Sequence, residues 1–232
     1  MDEKVEHLVQ RALAHRSRLP EDQRLLIGVA GIPGSGKTTL SQTVSQKIGQ
    51  QATFVPIDGF HLTRAALSAM PDPEEAHARR GAAFTFDAGK YLNLVRELRA
   101  PISSHTVWAP SFDHAVKDPK ERDIAVRPEH KIVVMEGNYV ALDQDVWRDA
   151  AKLFDELWFV EVDFQVARKR LAERHLRAGI VKTIEEGDKR AVKNDLVNGE
   201  EIVKNLLKVD ETIRDPSGTA PDVHIIHGIM NQ

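Results

Sequence analysis

The sequence predicts an α/β protein in which a parallel β-sheet is flanked by helices on both faces, a three-layer α/β/α arrangement. Two observations lead to this fold class. Short apolar runs of strand length alternate with longer segments whose apolar residues recur at helical spacing. The first of these runs ends in a glycine-rich turn, and a helix-compatible segment follows directly. The 232 residues suit one domain spanning 1–232.

The glycine-rich turn carries the pattern GxxxxGK[ST] of a P-loop, or Walker A motif. It lies between the predicted strand that begins at Leu25 and a predicted helix that reaches Ile48. Glycines allow unusual backbone dihedrals, so successive N–H groups can point at a phosphate beside the positive end of the helix. The predicted nucleotide-binding residues are Gly31, Ile32, Pro33, Gly34, Ser35, Gly36, Lys37, Thr38 and Thr39.

Two residues of this motif have chemical roles of their own. Lys37 can bring its charge to the β- and γ-phosphates of a nucleotide, and the hydroxyl of Thr38 can bind Mg²⁺. The sequence therefore predicts a site for a nucleoside triphosphate with Mg²⁺.

Two carboxylates follow predicted strands. Asp58 comes after the strand Ala52–Ile57, and Glu136 ends an apolar strand that we expect beside the P-loop strand. Ligands bind beyond the carboxyl ends of parallel strands. We predict that Asp58 accepts or orients a hydroxyl proton and that Glu136 serves Mg²⁺ or its water shell. The alternative for Asp58 is a helix N-cap before Leu62.

The segment of about residues 62–126 is longer than a simple strand connection needs, which suggests a substrate-binding flap. Prolines interrupt two short helical stretches, and a helix that contains Tyr91 follows them. We expect a β-hairpin formed by Thr106–Pro110 and Ile124–Val126 around the turn Lys117–Arg122. His61 is a candidate substrate contact. The adjacent pair Arg79 and Arg80 could bind an anionic substrate group or form a solvated face.

Two further helices are expected, one before the P-loop strand and one after the flap. A leading helix at about residues 4–18 has a structural role. A later one, at 164–178, places Arg170, Arg174 and Arg177 on one face, which predicts a lid over the phosphates at about 168–198. A solvated basic helix is the alternative. Residues 183–213 look helical with a break near Gly199, and a last strand is expected at Val223–Ile226.

Composition excludes several classes of function. The chain contains no cysteine, so disulfides and thiolate catalysis are excluded. Its formal net charge is −3. No dense basic block points to nucleic acid, and no apolar run approaches the length of a membrane span. We expect a cytoplasmic protein with a small-molecule partner, no nucleic acid and no membrane, and a homodimer is one arrangement open to it.

These motifs together resemble the phosphoribulokinase, uridine kinase and pantothenate kinase superfamily over about residues 25–213. The segments that carry the resemblance are GIPGSGKTT, PIDGFH, RRGAAFTFDA, APSFDH, EGNYVALD and RLAERHLRAG. The chain looks closest to the small uridine kinase-like and fructose-transport-associated kinases of bacteria and fungi. The resemblance implies phosphorylation of a metabolite hydroxyl that depends on ATP and Mg²⁺.

Position by position, the resemblance assigns phosphate and metal roles to Lys37 and Thr38, a general base to Asp58 and a metal-associated carboxylate to Glu136. Arg170 and Arg174 look like lid arginines, which makes the catalytic set Lys37, Asp58, Glu136, Arg170 and Arg174. Residues that fall where the family lines its acceptor pocket are Phe84, Asp87, Phe112, His114 and Tyr139.

The leading functional hypothesis is a kinase that transfers the γ-phosphoryl group of ATP to a nucleoside, sugar or pantothenate-like alcohol. Two other classes remain open. One is a P-loop NTPase with water as acceptor, and the other is a nucleotide-binding regulatory or transport-accessory protein without turnover. The long insertion after Asp58 favours an acceptor pocket.

Overall fold

The computed structural model describes residues 2–214 of the chain. Its strands are β1 (Leu25–Gly31), β2 (Ala52–Pro56), β3 (Val107–Asp113), β4 (Asp118–Val126), β5 (Ile132–Glu136), β6 (Glu156–Glu161) and β7 (Glu211–Arg214). Its α-helices are α1 (Asp2–Arg16), α2 (Lys37–Ile48), α3 (Arg64–Ser68), α4 (Pro73–Ala78), α5 (Ala88–Arg99), α6 (Trp147–Ala151), α7 (Phe164–Arg177), α8 (Ile184–Arg190) and α9 (Leu196–Lys204). A π-helix (Ala191–Asp195) joins α8 to α9.

The main sheet has the strand order β2-β5-β1-β6-β7, and all of its neighbouring strands are parallel. The P-loop strand β1 lies at its centre and is buried along its whole length. Pairing of Val29 and of Pro56 with Glu136 aligns the carboxyl ends of β1, β2 and β5. The predicted adjacency of β5 to the P-loop strand is therefore confirmed.

Apolar side chains form a core on each face of this sheet. On one face, Val5 and Leu8 of α1 pack with residues of β1 and α2. On the other, Tyr91 and Leu98 of α5 pack with the opposite side of β1, with β5 and with α6. Since side chains alternate between the two faces of a strand, β1 contributes to both cores. The predicted three-layer α/β/α fold is confirmed.

A buried carboxylate fastens α1 to the sheet. Glu156 begins β6 and accepts hydrogen bonds from Arg11 Nε at 2.5 Å, His15 Nδ1 at 2.7 Å and Trp158 Nε1 at 2.7 Å. Both donors from α1 lie one helical turn apart, which puts them on the same face. The leading helix is thus held by packing and by charge.

The predicted flap contains α3, α4 and α5 and the antiparallel hairpin of β3 and β4. Its hairpin turn lies earlier than predicted. Pairing continues to Asp113 opposite Asp118, so most of the expected turn Lys117–Arg122 belongs to β4. Polar and charged side chains suit this strand because much of it faces solvent.

The prediction for residues 183–213 was wrong in two respects. Gly199 does not break the helix, because it lies inside α9 and packs closely on the P-loop: a Cβ there would come within 3.4 Å of Ile32 Cβ. Helical structure ends at Lys204, and β7 then adds a short parallel strand beside β6. The predicted strand Val223–Ile226 lies outside the described residues.

Among the helices of residues 2–214, none combines the length and the apolar character needed to cross a membrane.

Candidate active site

The P-loop connects the end of β1 to the first residue of α2, Lys37. Gly34 has φ +81°, and a Cβ there would lie 2.9 Å from the carbonyl oxygen of Ala167 in α7. Gly36 has φ +87° and open space on its Cβ side. Both positions adopt a left-handed conformation that glycine favours, and the loop turns its backbone toward the N-terminus of α2. This is the geometry that binds phosphate.

Lys37 and Glu136 are paired but not tightly. Lys37 is 8% exposed and Glu136 is 5% exposed, and Lys37 Nζ lies 3.8 Å from Glu136 Oε1. Nζ also donates a long hydrogen bond of 3.3 Å to the carbonyl of Ile32. Burial lowers the pKa of Lys37, and the charges of Glu136 and Asp58 oppose that shift. Burial likewise raises the pKa of Glu136, which Lys37 opposes. A buried cation with such weak partners is suited to an anionic ligand.

These residues also fit a magnesium ion held together with a nucleotide. Mg²⁺ takes oxygen ligands, keeps several waters and usually needs one or two protein groups besides phosphates. Thr38 follows Lys37 in the same helix, and a hydrogen bond between its hydroxyl and Glu136 partly opposes the rise that burial causes in the pKa of that carboxylate. In residues 2–214 no group of three or more acidic, histidine or cysteine side chains is arranged to hold a metal by itself. Thr38 and Glu136 are thus the candidate metal-associated pair.

Asp58 follows β2 in a short 3₁₀ turn (Ile57–Phe60), and its side chain is exposed. The N-cap alternative was wrong, because Thr63 caps α3 by accepting a hydrogen bond from the N–H of Ala66. His61 packs against Phe86 with ring centroids 4.0 Å apart, and its Nδ1 lies 2.8 Å from the carbonyl oxygen of Asp58. Burial lowers the pKa of His61, so a neutral ring donates this bond and keeps Nε2 as an acceptor.

One cavity of about 200 Å³ brings most of the catalytic candidates together. The predicted residues on its wall are Pro33, Lys37, Thr38, Asp58, His61, Glu136 and Arg174. Arg80, for which the sequence left a substrate contact or a solvated face open, also lies on this wall. Residues on its wall that had not been predicted as site residues are Gly81, Phe86, Gly137, Asn138, Asp195 and Asn198. The P-loop, the two strand-end carboxylates, and the segments predicted as flap and lid therefore meet at one place.

A second cavity, of about 340 Å³, lies beside the P-loop. Its wall includes Ser35, Gly36, Thr39 and Arg170, so Arg170 is separated from Arg174 although both belong to α7. Nη1 of Arg170 lies 3.4 Å from the carbonyl oxygen of Gly34. Arg170 thus contacts the phosphate-binding loop and lines a different cavity from Arg174.

The five residues predicted to line the acceptor pocket lie outside the wall of the first cavity. Phe84 is 51% exposed, and Asp87 caps α5 by accepting a hydrogen bond from the N–H of Lys90. Tyr139 is buried and donates to the carbonyl of Gly81 at 2.7 Å. Phe112 contacts His61 with ring centroids 5.1 Å apart, and His114 contacts Phe112 with ring centroids 5.2 Å apart.

Arg79 and Arg80 have different surroundings. Arg79 joins the flap to the lid, because its Nε donates to Asn194 Oδ1 at 3.1 Å and its Nη2 to Asn198 Oδ1 at 2.8 Å. Arg80 lines the cavity and pairs with Asp118 at 3.1 Å. The amide of Asn194 also donates to the carbonyl of Arg80. Arg79 is therefore bound to Asn194 and Asn198 and is not a solvated surface residue, and Asn194 holds the backbone of Arg80.

Sequence reasoning missed Asp195 and Asn198 as site residues. They reach the cavity because the π-helix and α9 pack against the P-loop and the flap, and no short motif marks that contact. A π-helix is rare and often occurs at functional sites, but the sequence carries no clear signal for one. Asn138 lies in the EGNYVALD segment, next to Gly137, and could have been found from its position after β5.

A P-loop at the centre of a parallel sheet, with carboxylates at two neighbouring strand ends, defines the class of P-loop kinases and related NTPases. The chain belongs to the phosphoribulokinase / uridine kinase family, whose family model matches residues 26–179. It is a P-loop kinase of that type, and ATP binding follows from the family.

Individual relatives support this membership. A Schizosaccharomyces pombe protein named as a candidate uridine kinase is 42% identical over 197 residues, which cover 83% of each chain. An Aspergillus versicolor protein named as ATP-dependent kinase-like is 47% identical over 159 residues, 68% of this chain and 92% of the relative. The crystal structure of a candidate fructose transport system kinase from Silicibacter sp. TM1040 superposes with a TM-score of 0.79 at 32% identity, covering 90% of this chain and 98% of the other.

Proposed function

We propose that this protein transfers the γ-phosphoryl group of ATP to a hydroxyl group of a small metabolite. One observation carries the proposal: Asp58 opens into the same cavity as Lys37, Thr38 and Glu136, and residues of the flap and the lid also line its wall. An ATP-hydrolysing switch does not need a pocket of this kind beside the nucleotide phosphates. A kinase needs one to bind its acceptor substrate.

ATP would supply the phosphoryl group, and Mg²⁺ when bound would offset the charge of its phosphates. Asp58 receives the proton of the acceptor hydroxyl while the hydroxyl oxygen forms its bond to the γ-phosphorus. The bond between that phosphorus and the β–γ bridging oxygen breaks, and ADP leaves with the electron pair. Lys37 stabilises the charge that moves onto the phosphate oxygens.

Thr38 and Glu136 are the residues that would hold Mg²⁺ or its water shell. Arg174 projects from α7 into the cavity and is placed to offset charge on the transferred group. The lid excludes water from the reacting atoms, which favours transfer to the acceptor over hydrolysis. Arg79 and Asn194 secure the flap to the lid during this step.

Names of the relatives support a kinase but mention different compounds, uridine in one case and fructose transport in another. The function is therefore best tested with a broad set of acceptors. ADP release would be measured with ATP and Mg²⁺ in the presence of nucleosides, sugars, polyols, pantothenate and glycerate, each against a blank without acceptor.

We expect one compound class to stimulate ADP release and to yield a phosphorylated product of matching mass. A Lys37→Met variant, which lacks the charge at the phosphates, is the control for contaminating kinases and should lose this stimulation. Turnover that proceeds at the same rate with every acceptor and with the blank would contradict the proposal and indicate an NTPase.

A further inference from the structure

The side chains of Asp58, Asp195 and Asn198 on the cavity wall determine which acceptor would bind there. We propose that the acceptor is a small, uncharged molecule with several hydroxyl groups, of the sugar or polyol class, and that Asp195 and Asn198 bind a second hydroxyl beside the one that reacts at Asp58. This inference rests on the proposed kinase function and narrows its substrate.

Asp195 and Asn198 form a complementary pair for a hydroxyl group. Asp195 ends the π-helix, Asn198 lies one turn later in α9, and both line the cavity. An ionised carboxylate can only accept hydrogen bonds, whereas the Nδ2 of an asparagine donates them. A hydroxyl group both donates and accepts, so one hydroxyl can satisfy the two side chains together.

Asn198 is available for this contact although it is only 2% exposed. Its Oδ1 accepts a hydrogen bond from Arg79, which fixes the orientation of the amide. Within the part of the chain that the structure describes, its Nδ2 makes no hydrogen bond, and this nitrogen lies beside Gly81 at the cavity wall. The Nδ2 atom is open to the cavity and can donate a hydrogen bond to a ligand hydroxyl.

Asp195 is held in place by His175. The Nε2 of His175 lies 2.7 Å from Asp195 Oδ2, and both side chains are mostly buried. The other ring nitrogen, Nδ1, is buried and has no hydrogen-bond partner among the described residues. Nε2 therefore donates to Asp195 Oδ2, and the other carboxylate oxygen, Oδ1, accepts no hydrogen bond from the described residues and is available to the acceptor.

Charge around the acceptor argues against a carboxylate or phosphate on it. The cavity wall carries the acidic side chains of Asp58 and Asp195, and Arg80, the flap cation on the same wall, is paired with Asp118 at 3.1 Å. Lys37 belongs to the P-loop, and Arg174 on the cavity wall is the cation that we assign to the transferred phosphoryl group. An anionic acceptor would meet two carboxylates with no unpaired cation of the flap to balance them.

Size and ring packing argue against a nucleoside. About 200 Å³ must hold the acceptor together with the transferred phosphoryl group, which is below the roughly 300–1,000 Å³ of typical drug-sized sites. The aromatic side chain on the cavity wall beside Asp58 is also engaged within the flap. His61 packs on Phe86 at 4.0 Å and contacts Phe112 at 5.1 Å, so it has other partners than a nucleoside base.

Matched acceptor pairs test the inference: glycerol with glycerate, glucitol with gluconate, and ribose with uridine. Each is incubated with the full-length protein, ATP and Mg²⁺, and the phosphorylated product is detected by mass spectrometry. We expect products from neutral polyols or sugars. Product from the anionic members or from uridine alone would overturn the inference and leave the kinase function intact. If ATP is hydrolysed without any phosphorylated acceptor, both fall.

Variants separate binding by Asp195 from a structural effect. For the neutral acceptor that gives most product, Asp195→Asn should raise KM about tenfold to a hundredfold, as expected for a hydrogen bond to a charged group, with a smaller change in kcat. His175→Gln keeps a donor near Asp195 and should retain most of the affinity, whereas His175→Leu should lose it.

Asp188→Asn is the matched control, since Asp188 pairs with Arg168 in the same lid but outside the cavity. It should leave the acceptor KM unchanged. Equal effects of Asp188→Asn and Asp195→Asn, or an unchanged KM in Asp195→Asn with a normal melting temperature, would refute the role of Asp195.

Discussion

Replacement of Glu156 by glutamine tests how α1 is attached to the sheet. The carboxylate accepts three hydrogen bonds of 2.5 to 2.7 Å, from Arg11, His15 and Trp158. A glutamine amide presents its NH₂ group to at least one of these donors, so a buried donor loses its partner. Breaking one side of a buried ion pair costs about 3–5 kcal/mol. Arg11 is one-third exposed and can turn to water, which favours the lower end, about 3 kcal/mol.

This loss is measured by thermal or urea unfolding near neutral pH. For a protein of this size, about 3 kcal/mol corresponds to a decrease in Tm of roughly 6–12 °C. Asp149→Asn is the matched control, because it makes the same chemical change in an exposed pair with Lys152 at 3.1 Å. It should change stability by less than about 1 kcal/mol. Equal small effects of the two variants would refute the reasoning.

Glu156 should also make the stability of the protein depend on pH. Burial raises the pKa of Glu156, but hydrogen bonds from His15, Arg11 and Trp158 outweigh burial and hold the pKa below its usual value. A carboxylate with a lowered folded-state pKa stabilises the protein above its unfolded pKa of about 4.3 and loses that contribution as the pH falls. Wild type should therefore lose more stability than Glu156→Gln on acidification, and parallel curves would contradict this assignment.

Two further substitutions probe the site through its supporting residues. Gly137→Ala would place a Cβ 2.0 Å from Cγ1 of Ile57, the residue before the proposed base. We expect the free energy of unfolding to fall by about 1–3 kcal/mol and turnover to decrease. Wild-type stability and turnover in this variant would contradict the tight packing. Arg79→Lys cannot bridge Asn194 and Asn198, so the acceptor KM should rise about tenfold while ATP affinity stays unchanged. Equal changes in both affinities would indicate general loosening of the fold.

Most of the fold could be predicted because its signals are local. The apolar runs of β1 and β5 and the glycine pattern of the P-loop each lie within a few consecutive residues. The strand β7 was missed since it has four residues and pairs along one edge only, with β6. Its formation depends on a neighbour far away in the sequence, which hydrophobic periodicity does not show.

The candidate site likewise contains residues that local motifs predict and residues that only tertiary packing places there. Lys37 and Glu136 follow from motif and strand-end position, and the structure places them in one cavity. Tyr139 and Asp87 belong to matching segments, but their side chains serve the flap and a helix cap. Asp195 was not predicted because its place in the cavity depends on the π-helix and on tertiary packing of the lid.

The central claim is that this chain phosphorylates an acceptor at Asp58, and the most direct test is Asp58→Asn. Binding of a non-hydrolysable ATP analogue with Mg²⁺ would be measured by calorimetry, and transfer to the acceptor by product mass. We expect analogue affinity within about twofold of wild type and transfer reduced about 10²- to 10⁴-fold. Wild-type transfer in this variant would contradict the proposed role of Asp58.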